Sequence, residues 1–248
     1  MIKISRLLLY VLLVINLACG QAEKTEKVQK TAEKESDNKP NVVMILVDDL
    51  KPNLGVYGDE IAISPNIDKL ANMGVRFDMA YANQAVCASS RYNLMLSSRS
   101  TSTGLYTFGK EFRDVYPDAI TLPQHFQKAG YHTESMGKVF HIGHGNTNDE
   151  ASWSVPHHED KVIEYLVPES NNRELTREEA LFNNSRKYFK DLPPIRELPR
   201  GAAWESPDVL DDAYADGRIA THAIDRLRKF NKKPDKINSF LQKCFIII

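Results

Sequence analysis

The sequence predicts an α/β fold, a mostly parallel, doubly wound sheet with helices on both faces. Val42-Val43-Met44-Ile45-Leu46-Val47 is a continuous aliphatic run without alternation, which suits a central strand covered on both faces. Two later stretches, 64–77 and 121–135, each read as a helix with Pro in its first turn and Gly at its end, followed by a strand. Polar residues with chemical potential follow the first and last of these strands. Those are the ends at which an open parallel sheet gathers its loops into a crevice.

Taken in order, residues 1–19 carry Lys3 and Arg6, an apolar stretch from Leu7 to Ile15, and then Asn16-Leu17-Ala18-Cys19. This is the layout of an export signal, and the apolar run is too short to span a bilayer comfortably. Its end resembles a bacterial lipoprotein signal, with Cys19 as the lipidated residue and Asn16 where an aliphatic residue is usual. The expected location is therefore outside the cytoplasm, in the periplasm or on the outer membrane, held there by an N-terminal lipid anchor. Residues 20–40 are rich in Lys, Glu, Gln and Thr with little to bury, and read as a disordered tether.

A folded unit is expected over 41–235. With 248 residues and 42% hydrophobic content, the chain has enough material for one α/β core. Its first strand ends at Asp48-Asp49, a helix covers 64–74, and Val75-Arg76-Phe77 reads as the next strand. A second helix covers 121–130, and the strand from Tyr131 to Ser135 leads into Gly137-Lys138-Val139-Phe140-His141. The charged, Pro-containing stretch from His157 to Pro207 reads as a surface excursion. Residues 211–230 form an amphipathic helix with Ile219, Ala223, Ile224, Leu227 and Phe230 on its core face. Trp153 and Trp204 are expected to be partly in the core, and His125 and His132 to be surface or packing residues. His144, His157 and His158 read either as pocket or as solvated loop residues, and 146–149 as a turn. The last stretch, 236–248, ends on an apolar run and reads as an aberrant or truncated tail, with a final strand as the alternative.

A net charge of −1 offers no broad attraction to nucleic acid, so none is expected as a partner. Cys19, Cys87 and Cys244 are too few to suggest a disulfide framework. Adjacent carboxylates such as Asp48 and Asp49 at a buried strand end repel one another unless a cation or a basic side chain neutralises them. A divalent metal, a phospho-acceptor site and a solvated turn all fit that pair. Cys87 and Arg91 are four residues apart, on neighbouring faces of the first turn if a helix begins near Ala88. A thiolate phosphatase would need a longer loop between such a pair than Ala88-Ser89-Ser90 provides.

The stretch from Cys87 to Arg91 resembles the signature of the type I sulfatases of the alkaline phosphatase superfamily. Asp48-Asp49, Ser64-Pro65-Asn66-Ile67-Asp68, Ala85-Val86-Cys87-Ala88, Gly104-Leu105-Tyr106 and Gly137-Lys138-Val139-Phe140-His141 are similar to the iduronate-2-sulfatase branch. The resemblance implies an alkaline phosphatase-like fold, of which this chain would be the N-terminal part, and hydrolysis of sulfate esters on sulfated polysaccharides or oligosaccharides. It implies that a formylglycine-generating or anaerobic sulfatase-maturing enzyme oxidises Cys87 to formylglycine. One hydroxyl of the hydrated aldehyde would attack sulfur, and the second would expel sulfate. It implies calcium held by Asp48, Asp49 and the modified Cys87, with Arg91, Lys138 and His141 as the other catalytic residues. Arg91 would hold the hydrated aldehyde, while Lys138 and His141 would neutralise sulfate oxygens.

Three departures stand out. Ser89 occupies the position of the signature's usual Pro, and Leu96-Ser97-Ser98 replaces the family's Thr-Gly-Arg. No later Asp-His or Asp-Asn motif supplies the remaining calcium ligands, which suggests a truncated or frame-shifted product whose authentic sequence ends near Pro234. The rival readings are a phosphodiesterase or phosphatase of the same superfamily, and a non-catalytic lipoprotein or gene remnant.

Overall fold

The computed structural model describes residues 40–182, 193–231 and 239–246, so the export signal and most of the tether lie outside the described residues. Among the described residues, β1 (Val42–Asp48), β2 (His132–Gly137) and β3 (Ser239–Ile246) form a parallel sheet in the order β1-β3-β2. The principal helices are α1 (Pro65–Asn72), α2 (Cys87–Leu96), α3 (Leu122–Lys128), α4 (Arg177–Phe182) and α5 (Ala215–Asn231). The α/β class is as the sequence predicts.

Strand β2 shows how the sheet takes helices on both faces. Glu134 accepts from Arg226 Nε of α5 at 2.7 Å, and Met136 packs with Ile219 and Ala223 of the same helix. Thr133, the residue before Glu134 and so facing the other way, instead accepts from Gln127 Nε2 of α3 at 2.9 Å. Successive side chains on a strand point to opposite faces, so α3 and α5 lie on opposite sides of the sheet. Helix α3 is started by a capping box, in which Thr121 and Gln124 satisfy each other's backbone N–H groups. The principal core joins Tyr92 and Met95 of α2 to Leu105, Phe112, Val139, Phe140 and Trp153, with Leu46 of β1 packed against it.

Several expectations are corrected. Val75-Arg76-Phe77 is not a strand, and Val75 and Phe77 are largely exposed. Among the described residues strand β1 lies at the sheet edge rather than the centre, with Val43 and Ile45 exposed; aliphatic content alone does not say where a strand sits among its neighbours. The tail contributes β3, which pairs with both other strands. Ile224 faces outward on α5, Trp204 is exposed, and only Trp153 joins the core. The stretch after His157 is more than a surface excursion, since Glu164, Thr176 and Ala180 are buried. Asn146 is also buried, donating to Tyr92 Oη at 3.0 Å and to the Lys110 carbonyl at 2.9 Å, so the 146–149 turn is tied to the core.

Candidate active site

Parallel pairing through β3 brings the ends of β1 and β2 level. Asp48 is in register with Ile246, and Gly137 with Cys244 on the same strand. Two motifs far apart in sequence thus emerge at one end of the sheet. Gly137 has φ +68°, a left-handed conformation that a Cβ would strain, and it begins the turn from β2 to Lys138. The third motif arrives on α2. Val86 precedes that helix in extended conformation, Ser90 N–H bonds to the Val86 carbonyl at 2.8 Å, and Cys87 is the first helical residue, half-buried.

These elements converge on Asp48. Arg91 Nη2 donates to Asp48 Oδ1 at 2.7 Å, and Lys138 Nζ donates to Asp48 Oδ2, so each carboxylate oxygen has its own cation. Arg91 Nη1 also donates to the carbonyl of Lys138 and to that of Val139, the latter at 3.3 Å. Asp48, Arg91 and Lys138 are all buried, at 9%, 7% and 7% exposure, which makes this a dehydrated charge cluster rather than a surface bridge. Burial pushes the Asp48 carboxyl up, yet Arg91 and Lys138 outweigh it and hold the group below the ordinary carboxylate range. Cys87 stands one helical turn before Arg91.

His141 is buried, with its ring against Phe108 and His144 at centroid distances of 5.0 and 5.5 Å. Burial, followed by repulsion from Lys138, His144 and Arg91, lowers its pKa to about 3, so the ring is neutral at pH 7. Its Nδ1 has no hydrogen-bond partner among the described residues. A buried nitrogen of this kind is poised to bond a guest. In the unfolded chain the same ring would take up a proton below about pH 6.5. Stability attributable to its neutrality is therefore complete above that pH and drains away as pH falls toward about 3. His141→Asn is expected to flatten the slope of unfolding free energy against pH across this window, measured by urea denaturation at successive pH values.

The fit to calcium can be judged from the donors. A calcium ion takes about six to eight oxygens. Asp48 has both oxygens engaged by cations, Asp49 is exposed at a left-handed backbone position with φ +49°, and Cys87 is half-buried. No group of three or more His, Cys, Asp or Glu able to hold a metal occurs among the described residues. These residues do not form a calcium cage. The structure thus unites Asp48, Arg91 and Lys138 by direct contact, sets Cys87 on the same helix as Arg91, and leaves Asp49 turned outward.

Phe108 is a site residue that sequence reasoning missed, because an isolated aromatic carries no signal until the loop that bears it is placed against His141 and His144. His157 and His158 belong elsewhere. They line a separate cavity of about 350 Å³ with Ser135 and His222; Ser135 Oγ lies 2.6 Å from His157 Nδ1, and the His158 and His222 rings stack at 3.9 Å.

Comparison with known proteins agrees with this architecture. Human iduronate 2-sulfatase is 47% identical over 119 residues, which cover 47% of this chain and 22% of that protein. A sulfatase of Formosa agariphila is 37% identical over 132 residues, covering 50% of this chain and 25% of the relative. The chain thus spans about a quarter or less of the length of these relatives. A structure solved in complex with its substrate D-glucosamine-2-N,6-O-disulfate superposes with a TM-score of 0.51 at 21% identity, over 84% of this chain and 34% of the other. The phosphonate monoester hydrolase of Agrobacterium radiobacter superposes with a TM-score of 0.51 at 17% identity, over 84% and 41%. Those two likenesses establish the fold. Residues 40–236 match the family model described as Sulfatase, and with that match across most of the folded chain, the protein belongs to the sulfatase family.

Proposed function

We propose that this chain carries the nucleophile and anion-binding half of a sulfate-ester hydrolase acting on sulfated carbohydrate. The observation that supports the reading best is the convergence of three separated motifs on Asp48, beside a cysteine at a helix start. Maturation of Cys87 to formylglycine, by an enzyme that supplies its own oxidant and replaces sulfur with oxygen, would furnish a hydrated aldehyde able to attack sulfur. Arg91 lies one turn from that position, and its guanidinium holds charge there at any working pH. Lys138 offers a second cation against the developing charge on sulfate oxygens. Neutral His141 can donate or accept at a substrate oxygen, according to tautomer, without adding charge.

Calcium enters this proposal only as an ion whose first oxygen donors would be Asp48 and Asp49, since the described residues form no cage. The carbohydrate rests on the relatives, one of which is a structure with a sulfated glucosamine as its substrate. Export and lipid attachment through Cys19 belong to the same proposal, and place the chemistry where sulfated polysaccharide is met. The test is hydrolysis of matched aryl sulfate and aryl phosphate esters by protein made together with a formylglycine-generating enzyme. Preference for sulfate, with an aldehyde found in the Cys87 peptide by mass spectrometry, supports the reading. Preference for phosphate with the thiol intact favours the phosphatase alternative and defeats it.

A further inference from the structure

Residues 143–146 close on themselves as a two-residue turn. Gly143 N–H donates to the Asn146 carbonyl at 3.1 Å, and Asn146 N–H donates back to the Gly143 carbonyl at 2.9 Å. His144 and Gly145 are the central pair, with φ +50° and +87°, the left-handed combination of a type I′ hairpin turn. Such a turn favours Asn, Asp or Gly first, so a histidine there carries backbone strain. The surroundings hold it in place. The buried Asn146 side chain donates to Tyr92 Oη and the Lys110 carbonyl and accepts from Gly109 N–H at 3.0 Å, and Gly143 lies so close to the Leu181 carbonyl of α4 that a Cβ would not fit. The imidazole at the tip stacks on Phe108 at a centroid distance of 4.5 Å and an interplanar angle of 18°, and Phe108 in turn meets His141. His144 remains exposed, and its ring nitrogens bond to nothing among the described residues.

Strain that a fold enforces while leaving the side chain unused marks a functional position. Burial of the stacked ring, followed by the charge of Lys138, holds the His144 pKa below the ordinary histidine value, and His144 acts in the same sense on His141. The other elements against the turn add no opposing charge. The facing loop carries Lys110 and Glu111 beyond Phe108, with Glu111 taken by Tyr92 Oη and Thr147 N–H, and α4 reaches the turn through a neutral carbonyl. An anion on Lys138 therefore cancels the repulsion that keeps His144 neutral. We propose that His144 is a substrate-contacting residue, which takes a proton from solvent as the sulfate group enters, bonds an outer sulfate oxygen as an imidazolium, and returns the proton when the anion leaves. This rests on the anion-binding part of the proposed function and adds to it a third positive group beside Arg91 and Lys138, present only while the anion is bound. Such a group favours an anionic ester over an uncharged one without placing a permanent like charge next to two buried cations. Linkage is reciprocal, so acid that loads His144 must tighten the anion.

The experiment titrates inorganic sulfate calorimetrically into the full 248-residue chain at about pH 5.5 and about pH 7.5, on either side of the ordinary histidine value of about 6.5. Sulfate keeps both its charges over that span, so any pH dependence comes from the protein. Affinity is expected to be at least about five-fold higher at the lower pH. Proton uptake should appear as a binding heat that varies with the ionisation enthalpy of the buffer. His144→Asn and His144→Gly both suit the left-handed backbone, so each should melt no lower than the parent and abolish the pH dependence. His141→Asn should weaken binding and keep the dependence, which separates the two rings. Affinity that is flat with pH in the parent, or a dependence that survives both His144 variants, would overturn this inference while leaving the anion site standing. Absence of sulfate binding at both pH values would overturn it together with the anion site on which it rests.

Discussion

Asp48→Ala is expected to lower the stability of the fold by about 3–5 kcal/mol, seen as a lower urea midpoint with an unchanged denaturant slope. The size follows from what the substitution leaves behind rather than from what the ion pairs contribute net. Arg91 and Lys138 are buried at 7% exposure each, and alanine strands both without a counter-charge. Arg91 keeps its bonds to the Lys138 and Val139 carbonyls but cannot discharge. Asp48→Asn should therefore cost less than alanine, because the amide oxygen still accepts one of the two bonds. Lys138→Met should be less damaging in the Asp48→Ala background than alone, and the difference measures the coupling. A cost below about 1 kcal/mol for Asp48→Ala, the range of an exposed pair, would mean that the carboxylate does not hold the two cations in place.

The sequence made the site legible at the level of motifs and left its contacts hidden. Asp48 and Lys138 stand at strand ends in the folded chain, as an aliphatic run closed by carboxylates and a strand leading into Gly137 lead one to expect. Adjacent carboxylates announce a need for neutralisation. They do not announce that Arg91, 43 residues away, and Lys138, 90 residues away, will meet that need at Asp48. That depends on β3, drawn from the stretch read as an aberrant tail, which sets β1 and β2 in register on either side of itself. The failed strand at 75–77 has a different cause. Local periodicity gives a segment the capacity to be a strand, whereas its hydrogen bonds need a neighbour, and none is present there among the described residues. Ile224 shows the same limit for a helix: spacing identifies a face, and the packing surface decides how wide that face is.

Cys87→Ala is expected to reduce sulfate-ester hydrolysis by at least about 10³-fold, as loss of a covalent nucleophile does, while moving the thermal midpoint little. Cys87 is the half-buried first residue of α2, where alanine is at least as good a helix former and little buried volume is lost. Activity and stability should therefore separate at this position, in contrast to Asp48, where both fall. The neighbouring departure from the family signature supplies the complementary variant. Ser89 is fully buried with its Oγ unpartnered among the described residues, and it lies in the first turn of α2, where a backbone N–H has no partner within the helix to lose. Proline is tolerated in that turn and removes the orphaned hydroxyl. Ser89→Pro should therefore fold at least as well as the parent, and it should raise the fraction of Cys87 recovered as aldehyde when the chain is made with a formylglycine-generating enzyme. Hydrolysis that survives Cys87→Ala, or an aldehyde yield indifferent to Ser89→Pro, would assign the nucleophile to another residue in the first case and remove Ser89 as the limit on maturation in the second.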